Sequence, residues 1–182
     1  MSSAFRPVVI VLASGRGDRF IASGGTVHKL KAPLAGKPVL EHTIDAVRAS
    51  GLPMHLVNSG LAGMGDSIAD GVRATSGACG WLVLPGDLPL ICARTLLTIA
   101  SELETCNVVV PVYQGQSGHP VGFGAICRDD LLCLQGDSGA ASVVKKYAPK
   151  LLPVDDIGTV HDVDTLMDLG FAEQILVKRA SN

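Results

Sequence analysis

Aromatic residues are scarce in this chain. They make up 4% of its 182 residues, whereas hydrophobic residues make up 47%. The core must therefore be built from Val, Leu, Ile and Ala, a composition that suits buried parallel strands covered by helices. A chain of this length can bury well over half of the surface that it exposes when unfolded, so the composition favours one α/β domain.

An excess of basic charge is also missing. The formal net charge is −2 and the sequence pI is about 6.2, which argues against a nucleic-acid partner because such surfaces need a basic face. No apolar run approaches membrane-spanning length, so no membrane contact is expected. The first strand pattern begins after only seven residues, which leaves no room for a secretory signal. These features predict a cytoplasmic protein.

The five cysteines form no metal-binding or disulfide pattern. They are odd in number, widely spaced and never arranged as Cys-x-x-Cys, so they are expected to be reduced residues of the core or surface. Their positions are Cys79, Cys92, Cys106, Cys127 and Cys133.

Two common phosphate-binding motifs are absent. The P-loop string Gly-x-x-x-x-Gly-Lys-Ser/Thr does not occur, and the dinucleotide fingerprint needs a third glycine where this chain has Phe20. A different pattern is present, in which the apolar segment 8–12 runs into a turn rich in glycine and arginine. Its sequence is Ala13-Ser14-Gly15-Arg16-Gly17-Asp18-Arg19.

This turn has the composition of a phosphate-binding loop. Gly15 and Gly17 allow backbone N–H groups to approach an anion closely, while Arg16, Arg19 and the later Lys29 supply positive charge. The pattern predicts a nucleotide ligand. The alternative for a glycine-rich turn alone is a flexible surface loop.

Strand and helix patterns alternate along the whole chain. The segment that contains Leu40, Ile44 and Val47 has helical spacing and is closed by Gly51. Because there is no repeat or linker, the pattern predicts one Rossmann-like, three-layer α/β domain over residues 1–182, with a mostly parallel central sheet. Strands are predicted at 8–12, 54–57, 81–84, 106–112, 121–126, 151–154 and near Val160, and further helices at 66–75, 95–103, 129–134, 138–147 and from about Thr165.

Three carboxylates are candidates for a metal site. Asp87 follows the apolar run 81–84, and ligands bind at the carboxyl ends of strands in open parallel sheets. Asp162 and Asp164 lie two residues apart, so in an extended segment both would point to the same side. Together they could hold Mg²⁺, which prefers carboxylate, phosphate and water oxygens. Taken singly, each Asp could instead be a turn former or a helix cap.

In these motifs the chain resembles the MobA-like nucleotidyltransferases. The matches occur in the family's order and cover nearly the whole chain. They are Leu12-Ala13-Ser14-Gly15, Arg19-Phe20, Lys29-Leu30, Gly36-Lys37-Pro38-Val39-Leu40, Gly63-Met64-Gly65-Asp66-Ser67 and Pro85-Gly86-Asp87-Leu88-Pro89. Two segments resemble the branch that makes the cytidylyl form of the molybdenum cofactor, namely Gly118-His119-Pro120 and Gly136-Asp137-Ser138-Gly139-Ala140.

The resemblance implies roles for particular residues. Arg19 and Lys29 would contact the phosphates, Asp87 would bind Mg²⁺, and these three residues would be catalytic. His119 and Asp137 would face the acceptor, although His119 could instead fix a turn and Asp137 could cap a helix. The implied nucleotide-binding residues are Leu12, Ala13, Ser14, Gly15, Arg16, Gly17, Arg19, Lys29 and Ser67, of which Ser67, like Asp66, is an alternative helix cap.

The resemblance also implies a reaction. It is the transfer of CMP from CTP to the molybdenum cofactor, molybdopterin, with release of pyrophosphate and with a molybdoenzyme as the recipient. A guanylyltransferase or a sugar-phosphate nucleotidyltransferase on the same fold, or a non-catalytic cofactor carrier, are the alternatives. Two departures from the family pattern stand out: Ser14 replaces an Ala or Gly, and the segment 21–28 is longer than the family spacing.

Overall fold

The computed structural model describes residues 5–58 and 63–181, and within them the central sheet has seven strands. Its strands are β1 (Val8–Leu12), β4 (Met54–Val57), β5 (Gly80–Pro85), β6 (Val108–Tyr113), β7 (Gln116–Ser117), β8 (Val121–Gly124) and β9 (Lys150–Pro153), while β2 (Pro33–Leu34) and β3 (Lys37–Pro38) form a separate hairpin. The helices are α1 (Asp18–Ala22), α2 (Val39–Ser50), α3 (Met64–Ala74), α4 (Ala93–Glu102), α5 (Arg128–Leu132), α6 (Ala141–Lys146) and α7 (Leu166–Ala180), and 3₁₀ turns occupy Lys29–Lys31, Ala125–Cys127 and Ile157–Thr159.

The sheet is mixed but mostly parallel. Its strand order is β4-β1-β5-β8-β6-β7, and β9 pairs with β6. The pairings β1–β4, β1–β5 and β6–β9 are parallel, whereas β8 is antiparallel to both of its neighbours and β7 is antiparallel to β6. Five of the seven strands therefore run in one direction, which confirms the predicted Rossmann-like α/β class.

Helices cover both faces of the sheet. Along β1, Ile10 and Leu12 pack into the core on one face and Val9 and Val11 into the core on the other, as the two-residue period of a strand requires. Trp81 is fully buried on the first face, and its indole N–H donates to Thr75 Oγ1 at 2.9 Å. A third cluster joins the segment after β1 to α7. None of the described helices is long and apolar enough to span a bilayer.

Local signals set several helix ends where the sequence predicts them. Gly51 ends α2 in the left-handed conformation, with φ of 68°. Thr165 caps α7 through a capping box with Asp168. The basic residues Lys178 and Arg179 lie in the last turn of α7.

The strand predicted near Val160 is wrong. Residues Ile157–Thr159 form a 3₁₀ turn, with Asp156 as its cap and Asp156 Oδ1 accepting from Gly158 N at 3.0 Å. This capping interaction is local and closes the backbone on itself, so the segment joins no strand ladder in the described residues.

The same turn packs directly against neighbouring backbone. A Cβ atom on Gly158 would lie 2.2 Å from the carbonyl carbon of Leu90, and one on Gly118 would lie 2.4 Å from the Thr159 carbonyl oxygen. His119 N donates to that same oxygen at 2.8 Å. The turn therefore packs residues 158 and 159 against the segment that follows β5 and the loop that follows β7.

Replacing Gly158 by Ala should lower the free energy of unfolding by about 3 kcal/mol. The new methyl group would overlap main-chain atoms, which cannot move aside by changing a side-chain rotamer. Gly170→Ala is the matched control, since a Cβ there meets no atom within 4 Å and lies in α7, where Ala is favoured by about 0.5–1 kcal/mol. Urea unfolding of both variants provides the test. Equal unfolding midpoints would contradict the packing argument.

Candidate functional site

A cleft of about 1070 Å³ lies at the carboxyl ends of β1 and β5. It brings together most of the residues that the sequence predicts for the site. Those that line it are Leu12, Ser14, Gly15, Arg16, Arg19, Lys29, Asp87, His119, Asp137, Asp162 and Asp164, whereas Ala13, Gly17 and Ser67 are not among the described lining residues.

The glycine and arginine turn connects β1 to α1. Gly17 adopts the left-handed conformation with φ of 72° and precedes the first residue of α1, which is a conformation that glycine adopts without strain. A Cβ on Gly15 would meet no atom within 4 Å, so the space beside this residue is open. Within the described residues, the N–H groups of Gly15, Arg16 and Gly17 have no backbone acceptor. The turn therefore presents free donors and open space next to the cleft.

Ser67 lies beneath this turn and determines how Ser14 can interact. The Ser67 hydroxyl is fully buried and donates to the Gly63 carbonyl at 3.0 Å. Its single proton is thereby used, so the 2.7 Å contact between the two hydroxyls has Ser14 as the donor. Ser14, which lines the cleft, is left with lone pairs that can accept a hydrogen bond there.

Three hydrogen bonds restrain the backbone of Gly86 and Asp87. Gly86 N donates to Leu12 O at 2.8 Å, and Gly86 O accepts from the buried Thr43 hydroxyl at 3.0 Å. Asp87 O accepts from Val163 N at 2.9 Å. The last bond joins the end of β5 to the segment that carries the two later carboxylates.

Asp87, Asp162 and Asp164 converge as the sequence predicts. One oxygen of each carboxylate lies within 4.8 Å of the others. The segment is not part of a strand, but Val163 N donates to Asp87 O, and the two carboxylates that flank Val163 both lie near that of Asp87. Hard oxygen donors in such a group suit a divalent cation.

Lys29 reaches the same carboxylates despite the longer segment that precedes it. Its Nζ atom lies 2.5 Å from Asp87 Oδ2 and 2.7 Å from Asp164 Oδ1, and its side chain is 12% exposed. Arg19 Nη2 lies 2.6 Å from Asp164 Oδ2. The two predicted phosphate contacts are therefore cations that pair with the candidate metal ligands.

The pKa values reflect this network. Burial acts to lower the pKa of Lys29, but the charge of Asp87 and the hydrogen bonds to both carboxylates raise it above its ordinary value. Burial acts to raise the pKa of Asp164, but the hydrogen bond and charge of Lys29 hold it below its ordinary value. Asp162, which lacks this partner, has its pKa raised by burial and by the charges of Asp87 and Asp164. The site therefore holds a lysine cation between two carboxylates.

One carboxylate oxygen is left without a partner. Asp87 Oδ1 is buried and makes no hydrogen bond within the described residues. Such an atom costs free energy unless something else coordinates it. The residues present fit a divalent metal, with Asp87 as a ligand together with Asp162, Asp164 or both.

His119 and Asp137 also line the cleft. Burial lowers the pKa of His119 despite the nearby charge of Asp87, and its Nδ1 atom has no hydrogen-bond partner in the described residues. Asp137 is exposed and does not cap α6, whose N-cap is Ala140. The interpretation of Asp137 as a helix cap is therefore wrong.

The caps proposed for α3 are wrong as well. Gly63 is its N-cap, with no side-chain bond, while Asp66 Oδ2 accepts from Gly136 N at 3.0 Å. A Cβ on Gly63 would lie 2.1 Å from the Gly136 carbonyl, and Gly65 N donates to Gly136 O at 2.8 Å. The start of α3 and the loop at 136–138 therefore pack backbone to backbone, which leaves no room for a capping side chain.

Sequence reasoning missed His28 and Thr43. The His28 ring contacts Gly15 O at 2.6 Å, and Thr43 holds the peptide beside Asp87 from within α2. No short motif marks either residue. The one available signal for His28 is its position next to Lys29. For Thr43, the signal is the occurrence of a polar residue on the buried face of a helix.

Curated proteins match the sequence of this chain over different lengths. The bifunctional protein GlmU of Coxiella burnetii is 29% identical over 185 residues, which cover 88% of this chain and 38% of GlmU. GlmU of Enterococcus faecalis is 28% identical over 142 residues, 66% of this chain and 30% of GlmU. The chain thus spans about a third of the length of the curated relatives it matches.

The structural matches cover nearly the whole chain. Rv0371c from Mycobacterium tuberculosis superposes with a TM-score of 0.78 at 23% identity, over 94% of this chain and 99% of that one. The same protein has been solved as a complex with manganese, with a TM-score of 0.74, 23% identity and coverage of 94% and 100%. Molybdopterin-guanine dinucleotide biosynthesis protein A from Archaeoglobus fulgidus gives 0.68 at 20% identity, with coverage of 94% and 99%. At these identities the likeness shows the fold.

The family model of the MobA-like NTP transferase domain matches residues 55–151, just over half of the chain. The matched region runs from β4 to β9 and includes Asp87, His119 and Asp137. This chain belongs to the MobA-like NTP transferase domain family.

Proposed function

We propose that the chain is a single-domain nucleotidyltransferase that transfers CMP from CTP to the molybdenum cofactor, molybdopterin, and releases pyrophosphate. One observation carries the proposal: three converging carboxylates, Lys29 and Arg19 line the same cleft as a turn with free backbone donors. Triphosphate chemistry needs this combination of a metal site and anion contacts.

The carboxylates would hold the metal. Asp87 would supply its unpartnered oxygen, and Asp162, Asp164 or both would complete the protein's share of the ligands. Mg²⁺ is the proposed ion, since it binds through few carboxylates together with phosphate oxygens. When bound, it would neutralise negative charge on the triphosphate. The manganese complex of Rv0371c supports a divalent cation on this fold.

Lys29 and Arg19 would bind the triphosphate. Lys29 lies between two of the carboxylates and Arg19 beside one of them, so a small movement of either side chain would bring its charge to a phosphate in the cleft. Free N–H groups of the turn at 15–17 would add hydrogen bonds to the same anion. A phosphate acceptor is already ionised near neutral pH, so positioning and charge neutralisation are sufficient and no protein nucleophile is needed.

The acceptor would lie on the side of His119 and Asp137. The buried ring of His119 has a free nitrogen, which suits contact with a polar group of the acceptor. The name of the Archaeoglobus fulgidus protein, which includes molybdopterin, supports this choice of acceptor. A molybdoenzyme is the proposed recipient of the product, and the cytoplasm its proposed location, with neither nucleic acid nor membrane as a partner.

Cytosine is the proposed base. Ser14 faces the cleft as an acceptor, which matches the amino group of cytosine and opposes the carbonyl oxygen of uracil at the same position. The cytidylyl-type segments at 118–120 and 136–140 favour CTP over GTP. A Cβ on Ser14 also narrows the site relative to glycine, which disfavours a purine.

A sugar-phosphate nucleotidyltransferase is the second candidate. The matches to bifunctional GlmU proteins favour it, and that to the Coxiella burnetii protein extends over 88% of this chain. The two candidates share the donor site and differ in the acceptor, so turnover with a sugar phosphate in place of molybdopterin distinguishes them. A non-catalytic carrier is disfavoured, because it has no use for a metal–triphosphate site.

Replacing Asp87 by Asn should lower turnover about 100-fold or more, roughly 3 kcal/mol in the barrier, because the shape is kept while the charge that holds the metal is lost. Asp70→Asn is the control, since Asp70 pairs with Arg73 on the surface of α3. Steady-state rates in Mg²⁺ and circular dichroism of both variants make the test. Near-normal turnover of a folded Asp87 variant would exclude the metal role.

Lys29→Ala should weaken binding of CTP much more than binding of CMP, because a lysine that reaches the outer phosphates has no partner in the monophosphate. Lys31→Ala, two residues further along and exposed, is the control. Calorimetric titration of each protein with both nucleotides measures the difference. Equal losses of affinity for CTP and CMP would contradict a contact between Lys29 and the outer phosphates.

The value of kcat/KM should be about tenfold to a hundredfold higher for CTP than for GTP, because a site matched to one base leaves polar groups of the other unpaired, at a cost of about 1–3 kcal/mol. The Ser14→Ala variant should lose preference for CTP over UTP while keeping that over GTP. Rates with the molybdenum cofactor as acceptor decide the matter. Equal values for CTP and GTP, or a preference for GTP, would overturn the base assignment.

A further inference from the structure

We propose that His28 is a positioning residue that holds the phosphate-binding turn in its binding conformation. The inference rests on the proposed function, since it concerns how the same site receives a triphosphate. His28 ends the segment 21–28, which distinguishes this chain from the family pattern, and it lines the cleft beside Lys29.

Two hydrogen bonds fix the state of the imidazole ring. Nδ1 accepts from Leu30 N at 3.3 Å, so it carries no proton. The proton of the neutral ring is therefore on Nε2, which lies 2.6 Å from Gly15 O and donates to it. The ring thus links the start of the 3₁₀ turn at Lys29–Lys31 to the first glycine of the phosphate-binding turn.

Gly15 has few other restraints on its peptide plane. A Cβ there would meet no atom within 4 Å, and glycine itself has wide conformational freedom. In a planar trans peptide the C=O and N–H groups point in opposite directions. Holding Gly15 O against His28 therefore also fixes the direction of the Arg16 N–H, one of the donors without a backbone acceptor in the described residues.

The ring also packs against the second glycine of the turn. A Cβ on Gly17 would lie 3.6 Å from His28 Nε2 and Cδ2 and 3.5 Å from Lys29 Cγ. Further back in the same segment, Ser23 Oγ accepts from Leu166 N at 3.0 Å. The segment is therefore attached to the first residue of α7 at a point five residues before the ring.

Three substitutions separate the two hydrogen bonds. His28→Gln places an amide N–H near the position of Nε2 and keeps a donor to Gly15 O. His28→Asn places an oxygen near the position of Nδ1 and keeps an acceptor for Leu30 N, while His28→Ala removes both. Calorimetric binding of inorganic tripolyphosphate and of CMP to the full-length variants, with unfolding midpoints for each, provides the measurement.

We expect the Ala and Asn variants to bind tripolyphosphate about three- to tenfold more weakly than wild type, the magnitude of one hydrogen bond. The Gln variant should stay close to wild type, and CMP should bind all four proteins with changes of less than about twofold. Affinities for CTP in Mg²⁺ should follow those for tripolyphosphate, with the loss in KM rather than in kcat.

Each other outcome has a distinct meaning. If wild type binds tripolyphosphate and the Gln and Ala variants are equally weak, or the Asn variant keeps full affinity, the role of His28 is overturned and the proposed function stands. If wild type binds neither tripolyphosphate nor CTP, both the role of His28 and the proposed function are contradicted. The ¹⁵N spectrum of the free protein gives a test that needs no ligand: a His28 ring protonated on Nδ1 rather than Nε2 overturns the role.

Discussion

The site depends on the hydrogen bonds that hold the peptides of Gly86 and Asp87. Leu12 O and the Thr43 hydroxyl hold the peptides on either side of Gly86, while Val163 N binds Asp87 O. These bonds connect β1, α2 and the segment before α7 at one point. Two of the three hydrogen bonds join backbone groups, so the fold itself positions the backbone that carries the carboxylates. Such preorganisation is what charge stabilisation requires.

Much of the fold follows from local patterns. The apolar runs predict β1, β4 and β5 within a residue or so, and Gly51 and Thr165 mark the ends of helices because their chemistry acts over one turn. The segment near Val160 has the composition of a strand, but Asp156 caps a 3₁₀ turn there. The antiparallel placement of β8 between β5 and β6 was likewise not predicted, since strand order is a long-range property that composition does not encode.

The sequence predicts those parts of the candidate site whose geometry depends only on neighbouring residues in the chain. Asp87 follows a central strand, and the spacing of Asp162 and Asp164 puts both on one side. The pairing of Lys29 with these acids was not predictable, because it depends on the path of the segment 21–28. The same holds for His28, whose partner lies 13 residues away. The sequence predicts helix caps at Asp66 and Asp137, but neither residue caps a helix. At the start of α3, the backbone of Gly63 packs against that of Gly136 and leaves no room for a capping side chain.

That packing restrains the backbone of one part of the cleft lining more closely than the backbone of the turn at 15–17. The start of α3 and the loop at 136–138 contact each other through main-chain atoms, so no side chain can give way between them. The turn at 15–17 is open by comparison. The start of α3 is fixed by its own backbone contacts, whereas the turn keeps a conformation suited to a phosphate only while His28 holds Gly15 O. Without that bond, a phosphate would have to order two glycines as it binds, and the lost conformational entropy would offset part of the enthalpy gained at the turn.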